Sequence, residues 1–347
     1  MTDCAAAGLP LDDFLRQTAP PDLAHLVGAL AAAAIPVATL VRRGALAGAM
    51  GLAIGDANAD GDIQKALDVV ADRQFTAALG QAGVRAVVSE ERDQPLDLDA
   101  DGRFLVAIDP LDGSSNIDTN VSIGTIFSIT DAPEGRPVET ADFLRPGHEQ
   151  RAAGFVMYGP QTMLVFSTGA GTHVATLDPV TDCFILTRRT VAVPEGSTEF
   201  AINASNYRHW HPPVQAYIDD CIEGAEGPRA RNFNMRWIAS LVADAYRILV
   251  RGGVFLYPAD SRKGYERGRL RHIYEASPIA FLVEQAGGAA TDGVNRILDL
   301  RPASLHGRVP FIFGSLDKVA RIRRYHLDSE TSAEQSPLFG TRGLLRR

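Results

Sequence analysis

Apolar residues recur at helical spacing near the start of the chain. Leu23, Leu26 and Leu30 fall on one helical face, which predicts a helix, and Pro36 predicts a kink in it. The apolar run around this helix is short for a membrane span, so we expect it to be buried inside the protein. A second amphipathic helix is predicted over residues 63–80, after a loop rich in glycine and aspartate.

Short segments rich in β-branched or aromatic residues follow and predict strands. They are Arg85–Ser89, Phe104–Ile108, Val121–Thr130, Gly154–Tyr158, Met163–Thr168, His173–Leu177 and Phe184–Thr187. Beyond Pro194, helices and strands alternate. The predicted helices there are Pro213–Cys221, Trp237–Leu249 and Ile279–Gln285, and the predicted strands are Val254–Tyr257 and Phe311–Phe313. This order is typical of a mixed α/β (α+β) protein.

The change of pattern near residue 195 predicts two domains, since 347 residues exceed the usual size of one domain. We expect an N-terminal α/β domain over residues 1–194 and a C-terminal α/β domain over residues 195–335. The polar residues 336–347 lack periodicity and predict a flexible tail.

Composition and charge narrow the classes of function. Apolar residues make up 46% and charged residues 22% of the chain, as is usual for a globular enzyme. With 34 basic and 42 acidic residues, the net charge of −8 disfavours nucleic acid or a membrane as a partner. The three cysteines are widely spaced, which predicts neither a disulfide framework nor a zinc site. Together with an acidic N-terminus unlike a secretory signal, this predicts a cytoplasmic location.

The segment Phe104–Asn116 carries the most specific pattern. Five apolar residues predict a buried strand that stops at Pro110. Asp109 and Asp112 would then lie at its carboxyl end, where open α/β sheets bind ligands. The Gly-Ser-Ser step over residues 113–115 offers backbone N–H groups and small hydroxyls that suit a phosphate. An aspartate-rich turn is the alternative, but two such steps together favour a metal and phosphate site.

Three further sets of carboxylates could join these two aspartates. Glu90 and Glu91 follow a predicted strand, Glu275 precedes a helix, and Asp62 and Asp68 flank the start of the second predicted helix. Taken singly, each set is better explained without a metal. A solvated loop explains Glu90 and Glu91, and the helix dipole explains Glu275. By default, Asp62 is an N-cap and Asp68 faces solvent. If they converge, like charges about 4 Å apart repel by about 4 kcal/mol at an effective dielectric constant of about 20. Such an oxygen-only cluster needs divalent cations and fits Mg²⁺ or Mn²⁺.

The stretch Asp109-Pro-Leu-Asp-Gly-Ser-Ser-Asn-Ile-Asp118, followed by Val121–Phe127, strongly resembles class I fructose-1,6-bisphosphatases. Its Asp-Pro-Leu-Asp-Gly core is shared with the wider lithium-sensitive, metal-dependent phosphatase superfamily, and the Ser-Ser-Asn continuation is particular to this branch. Other segments resemble family motifs in the same order, namely residues 61–68, 88–91, 239–244, 252–258 and 270–275. The resemblance implies a layered α/β/α/β/α sandwich. It also implies Mg²⁺-dependent hydrolysis of the 1-phosphate of fructose 1,6-bisphosphate to fructose 6-phosphate, in gluconeogenesis or the Calvin cycle.

The resemblance also implies roles for individual residues. It implies two or more Mg²⁺ ions per subunit, with Mn²⁺ as a substitute, held by Glu90, Glu91, Asp109, the backbone carbonyl of Leu111, Asp112 and Glu275. The implied catalytic residues are Asp68, which helps to activate the attacking water, Asp62, in a loop that closes over the metals, and Glu91. The implied substrate-binding residues are Asp112, Gly113, Ser114, Ser115, Asn203, Tyr207, Arg236, Tyr257 and Arg269.

In this interpretation the N-terminal domain carries the metal-ligand loops and the C-terminal domain carries the site for the 6-phosphate. Arg236 comes from a neighbouring subunit of a homotetramer. Arg269 and Trp237 stand where the family commonly has lysine and tyrosine. Two alternatives stay open: a bifunctional or preferential sedoheptulose-1,7-bisphosphatase, and a non-catalytic sugar-phosphate sensor. The sensor is disfavoured because it would need no water-activating carboxylate such as Asp68.

Overall fold

The computed structural model of the protein describes residues 8–48, 53–57 and 63–327, so Asp62 and the predicted tail lie outside it. Its helices are α1 Leu11–Thr18, α2 Pro21–Arg43, α3 Ala66–Gln81, α4 Pro212–Glu223, α5 Leu241–Arg251, α6 Ser277–Gln285 and α7 Leu316–Leu327. Its strands are β1 Ala53–Ala57, β2 Ile63–Lys65, β3 Ala86–Ser89, β4 Leu96–Asp97, β5 Phe104–Asp112, β6 Ile123–Asp131, β7 Ala152–Tyr158, β8 Thr162–Ser167, β9 Thr172–Asp178, β10 Cys183–Val191, β11 Glu199–Ala201, β12 Asn234–Met235, β13 Val254–Tyr257, β14 Leu270–Arg271, β15 Ala289–Thr291, β16 Arg308–Val309 and β17 Phe311–Gly314.

Two sheets form the framework. The larger has eight strands in the order β10-β9-β8-β7-β6-β5-β3-β4, and the smaller has five in the order β12-β11-β13-β17-β15. In the larger sheet β3 and β5 run parallel, whereas the other neighbouring strands run antiparallel. In the smaller sheet β11 is parallel to β12 and β13, and β17 is antiparallel to β13 and β15.

Among the described residues, three of the four hydrophobic cores lie between the five layers of the fold. Helices α1, α2 and α3 cover one face of the larger sheet with side chains such as Phe14, Leu26 and Phe75. The opposite face packs against α5 and α6, which also contact one face of the smaller sheet. Helices α4 and α7 cover the remaining face of the smaller sheet. The predicted α/β/α/β/α sandwich is therefore confirmed.

Strand β5 leads from the core to the edge where the candidate residues lie. All of its residues are buried, because both of its faces are covered. Val106 and Ile108 point toward the core under α1–α3, and the alternate residues point to the other side. Because β3 and β5 are parallel, with Ser89 opposite Ile108, their carboxyl ends meet at one edge. The Glu90–Glu91 step and the Asp109–Asp112 segment are therefore neighbours.

Two prolines lie inside elements that continue past them. Helix α2 continues through Pro36 to Arg43. Strand β5 continues past Pro110, its predicted end, to Asp112, although the pairing with β6 shifts between Asp109 and Asp112. The Pro110 carbonyl accepts a hydrogen bond from Thr125 Oγ1 at 2.9 Å. Proline lacks only the N–H group, so its carbonyl still ties the strand to β6.

Two helices begin later than predicted. Helix α3 begins at Ala66, because residues 63–65 form β2 and pair with β1. Helix α5 begins at Leu241 and not at Trp237. Ala239 has a φ of 66° and Ser240 is extended, and a right-handed helix can include neither conformation. Arg236 and Trp237 therefore precede α5.

Helix α2 meets the length and hydropathy criteria for a membrane span, but it packs as a core helix. Residues 21–47 are long and apolar enough to cross a membrane, and half of their most apolar window is buried inside the protein. The predicted apolar face, with Leu23, Leu26 and Leu30, lies in the core against the larger sheet. The prediction of a buried helix is confirmed for these residues.

The two described cysteines differ in bonding state. Cys183, at the start of β10, is disulfide-bonded, so the prediction that the widely spaced cysteines form no disulfide was wrong. Residues far apart in sequence can meet in a fold, and spacing alone does not reveal it. Cys221 in α4 is a free thiol, and burial raises its pKa to about 11.

Candidate active site

Three buried carboxylates meet at the edge of the larger sheet. Oxygens of Asp109, Asp112 and Glu275 all lie within 4.8 Å of one another. The two aspartates end β5, and Glu275 lies in a short π-helical turn, His272–Ala276, that leads into α6. Glu90, directly after β3, forms a hydrogen bond with Asp109. The structure thus brings together four of the five predicted metal-binding carboxylates.

Burial and mutual repulsion disfavour the charged forms of these carboxylates. Burial, with repulsion from Glu90 and Asp112, raises the pKa of Asp109 well above its usual value. Burial raises the pKa of Asp112 to about 7, although N–H groups of α5 oppose the increase. Burial, with repulsion from Glu90 and Asp112, raises the pKa of Glu275 to about 8. A divalent cation would relieve this repulsion, and an oxygen-only donor set fits Mg²⁺ or Mn²⁺.

Arg271 is a basic neighbour that the sequence analysis did not select. Its Nη1 lies 2.7 Å from Glu90 Oε1, and its side chain is almost fully buried. Its backbone N–H donates to Glu275 Oε2 at 2.6 Å. One residue therefore holds two of the four carboxylates. The only signal in the sequence is that Arg271 shares the segment 270–275 with Glu275.

The loop after β5 has the backbone shape expected of a phosphate cradle. Gly113 has a φ of 79°, a conformation that favours glycine, and residues 114–119 form a 3₁₀ turn. The loop is tied to the segment before α5, where Asn116 Nδ2 donates to the Ala239 carbonyl at 2.8 Å. The Val242 N–H of the first turn of α5 donates to Asp112 Oδ2 at 3.3 Å. The positive end of the α5 dipole therefore faces this loop.

Ser240 gives this loop a further polar neighbour. Its Oγ is buried and has no hydrogen-bond partner among the described residues. A Cβ placed on Gly113 would lie 4.0 Å from it. A buried hydroxyl without a partner suits a polar ligand, so the cradle at residues 113–115 has an unused donor beside it.

The remaining predicted residues of this edge occupy different environments. Asp68, in the first turn of α3, is 2% exposed, so its default interpretation as a solvent-facing residue was wrong. Glu91 is half-buried, and its N–H donates to Ser89 Oγ at 3.3 Å. The Leu111 N–H donates to Asp109 Oδ1 at 3.0 Å. Within the part of the chain that the structure describes, the three-carboxylate group includes neither Glu91 nor Asp68.

A separate cleft lies beside the smaller sheet. It brings together two predicted substrate-binding residues, Asn203 and Tyr257, and its lining consists of Ile202, Asn203, Asn206, Trp210, Trp237, Leu256, Tyr257, Pro258 and Asp260. Trp237 stacks on Phe255 with the ring centroids 5.5 Å apart. The indole therefore forms part of a rigid aromatic wall.

The other three predicted residues of this region lie around the cleft but do not line it. The Tyr207 hydroxyl donates to both carboxylate oxygens of Asp219, at 2.8 and 2.9 Å. Arg236 is exposed, and its Nη1 donates to the neighbouring Met235 carbonyl. Arg269 lies 4.7 Å from the centre of the Tyr265 ring and donates to its hydroxyl at 2.6 Å.

Positive charge nevertheless reaches the cleft. Burial raises the pKa of Tyr257, and the charges of Arg269 and Arg262 oppose that increase. Arg262 was not selected from the sequence. Its guanidinium lies 4.1 Å from the centre of the Tyr265 ring and pairs with the buried Asp260. Both arginines lie on one side of the cleft, but Asp260 balances the charge of Arg262. Arg269 therefore carries the positive charge that is available to an anionic ligand.

The comparisons with known proteins agree along the whole chain. Residues 12–189 match the model of the fructose-1,6-bisphosphatase N-terminal domain, and residues 193–327 match that of the C-terminal domain. A class 1 fructose-1,6-bisphosphatase of Rhizobium meliloti (strain 1021) is 54% identical over 100% of this chain and 97% of its own length. One from Paracoccus denitrificans (strain Pd 1222) is 57% identical over 94% of this chain and 96% of its own length.

Solved structures agree with the sequence relatives. The holo form of Leishmania major fructose-1,6-bisphosphatase matches with a TM-score of 0.87 and 34% identity, covering 92% of this chain and 99% of that one. The apo form matches with a TM-score of 0.81 and 31% identity, covering 92% of this chain and 100% of that one. The chain belongs to the class 1 fructose-1,6-bisphosphatase family.

Proposed function

We propose that the carboxylate cluster at the ends of β3 and β5 is the site at which this chain hydrolyses the 1-phosphate of fructose 1,6-bisphosphate. The products are fructose 6-phosphate and inorganic phosphate. The observation that carries the assignment is the convergence of Glu90, Asp109, Asp112 and Glu275 beside the cradle at residues 113–115. Carboxylates that repel one another and lie beside a loop suited to phosphate fit metal-assisted phosphoryl transfer.

Membership of the family implies a divalent metal requirement, and we propose its details. The ions are Mg²⁺, with Mn²⁺ as a substitute, and two or more bind per subunit. Their ligands are Glu90, Glu91, Asp109, the Leu111 carbonyl, Asp112 and Glu275. Once bound by these residues, such ions would supply positive charge at the phosphate and the leaving oxygen.

The chain itself positions the reactants. Asp68, buried on α3, orients the attacking water and accepts its proton. Residues 113–115 donate N–H groups to the 1-phosphate. Arg271 keeps Glu90 and Glu275 in place through its side chain and its backbone N–H. Asp62 is proposed to close over the site, and it lies outside the described residues.

The 6-phosphate of the sugar is proposed to bind in the cleft between Asn203 and Tyr257. Arg269 adds charge there, and Tyr207 contributes after its hydroxyl leaves Asp219. Arg236, exposed before α5, reaches the cleft of a neighbouring subunit in a homotetramer. Binding at a distance orients the reacting phosphate, so its contribution appears in the rate of the chemical step. The cytoplasmic location and the division at residue 194 stay predictions.

The test is phosphate release from fructose 1,6-bisphosphate and sedoheptulose 1,7-bisphosphate, measured side by side with Mg²⁺ and with EDTA. We expect release from the fructose sugar that EDTA abolishes. A higher kcat/KM for the heptose would favour the alternative substrate. No release from either sugar would favour the sensor, and full turnover in EDTA would contradict the metal site.

A further inference from the structure

A buried polar network lies directly behind the turn that carries Glu90 and Glu91. Asp72 on α3 is 7% exposed, and Ser89 at the end of β3 is fully buried. Ser89 Oγ donates to Asp72 Oδ1 at 2.7 Å. Arg92, on the other side of the turn, donates to Asp72 Oδ2 from Nη2 at 2.6 Å and from Nε at 3.0 Å. One carboxylate thus holds the residues on both sides of the two glutamates.

Hydrogen bonds from three backbone N–H groups hold the turn itself. The Glu91 N–H donates to Ser89 Oγ at 3.3 Å, and the Arg92 N–H donates to the Ser89 carbonyl at 3.1 Å. The Glu90 N–H donates to the Ile108 carbonyl at 3.0 Å, which ties the turn to β5. With both flanks fixed, the glutamates have little freedom to swing away from the carboxylate cluster.

Helix α3 connects this network to the proposed water-activating residue. Asp72 follows Asp68 by four residues, so the two lie on the same face of the helix. Helix α3 also packs against β3 and β5. The bonds from Asp72 to Ser89 and Arg92 therefore join the element that carries Asp68 to the turn that carries Glu90 and Glu91.

We propose that Asp72, Ser89 and Arg92 act as positioning residues that hold Glu90 and Glu91 in register with Asp109 and Asp68, and so set the affinity for the metal. This inference rests on the proposed function, because it takes the two glutamates as metal ligands. None of the three residues needs to touch metal or substrate. Residues that orient metal ligands through hydrogen bonds typically change metal affinity by about 10- to 100-fold when they are replaced.

A simple charge effect is the competing explanation. It predicts changes in cation affinity of opposite sign for the replacements of Arg92 and Asp72. Replacing Arg92 removes a positive charge near the cluster, which by charge alone would tighten binding of a cation. Replacing Asp72 removes a negative charge, which by charge alone would weaken it. If the network acts by position, both replacements loosen the turn, and both weaken binding.

The experiment measures Mn²⁺ binding to the full chain without substrate, from the electron paramagnetic resonance signal of free Mn²⁺. We expect Asp72→Asn and Arg92→Gln each to weaken binding by about tenfold. Ser89→Ala removes only the bridging hydroxyl and should weaken it by a smaller factor. Arg92→Lys keeps the charge but loses the two-pronged contact, so it should fall between Arg92→Gln and the parent. At saturating Mn²⁺, kcat and the KM for the sugar should return close to the parent values.

Asp142→Asn is the matched control. Asp142 is also a buried aspartate held by an arginine, with Arg136 Nη1 2.8 Å from its Oδ2. The Asp142→Asn variant should be less stable than the parent protein and should keep its affinity for Mn²⁺. If Asp72→Asn fails to fold, Arg92→Gln and Ser89→Ala carry the test.

The outcomes separate this inference from the proposed function. A parent protein that binds no Mn²⁺ would overturn the proposed function. If the parent binds Mn²⁺ but Asp72→Asn and Arg92→Gln shift affinity in opposite directions, charge explains the effect and the positioning inference is wrong. It is equally wrong if neither variant differs from Asp142→Asn.

Discussion

The carboxylate cluster and the cleft beside the smaller sheet are built in different ways. The cluster projects from the buried end of β5 and from a turn that backbone bonds hold, and its residues are already in contact. The cleft combines a rigid wall around Trp237 with side chains that other groups occupy, since Tyr207 is bound to Asp219 and Arg236 donates to the Met235 carbonyl. The reacting end of the proposed site is therefore already assembled, whereas the distant end, as proposed above, is completed by rearrangement and by a second subunit.

The largest effect should come from breaking the preformed end. Asp109→Asn removes one ligand charge from the cluster, so kcat should fall on the order of 10²–10³-fold with Mg²⁺ saturating. The same change removes repulsion in a buried place. In EDTA the variant should therefore melt at the same temperature as the parent or higher. A variant that is both active and less stable would contradict the cluster as a strained metal site.

A second prediction separates the chemistry from the binding of the sugar. Asp68→Asn keeps the size of the side chain but removes the base proposed for the attacking water. We expect kcat to fall on the order of 10²-fold and KM to change little. Steady-state phosphate release measures both. A change confined to KM would show that Asp68 acts on the sugar instead.

A third prediction tests the distant end of the site. Arg236→Ala should lower kcat/KM by a factor equivalent to about 2 kcal/mol, because a charged contact to phosphate is lost. Arg231→Ala, an exposed arginine five residues earlier, is the control and should change little. Refolding Arg236→Ala together with Asp109→Ala tests the sharing between subunits. Partial recovery of activity in the hybrids is expected. Mixed oligomers without recovery would assign Arg236 to its own chain.

The smallest expected effect is a pH dependence of stability in the metal-free protein. The folded-state pKa values of Asp112 and Glu275, about 7 and about 8, lie above their usual values of 3.8 and 4.5. Between about pH 4 and pH 8 the folded state thus holds more protons than the unfolded state, and stability falls as pH rises. The melting temperature in EDTA should decrease by a few degrees as the pH rises across this range. Saturating Mg²⁺ should flatten the curve, and an unchanged slope with Mg²⁺ would place the metal elsewhere.

Features that depend on local sequence pattern could be predicted, whereas features that depend on tertiary contacts could not. Asp109 and Asp112 could be assigned because an apolar strand leads directly into them, and the parallel pairing of β3 with β5 brings Glu90 alongside. Arg271 could not be selected, because its contacts depend on how β14 packs against the cluster. The start of α5 was placed too early, because the positive φ of Ala239 follows from tertiary contacts and not from residue type. The burial of Asp68 was missed for the same reason.

The middle layer of helices has a consequence for how the protein melts. Helices α5 and α6 come from the second half of the sequence, yet they cover an apolar face of the sheet built by the first half. Neither half can bury its own apolar surface, so we expect each half to aggregate when it is expressed alone. We therefore expect the two halves to unfold as one cooperative unit, although their sequence patterns differ. A calorimetric scan of the intact protein should therefore show a single endotherm, not two.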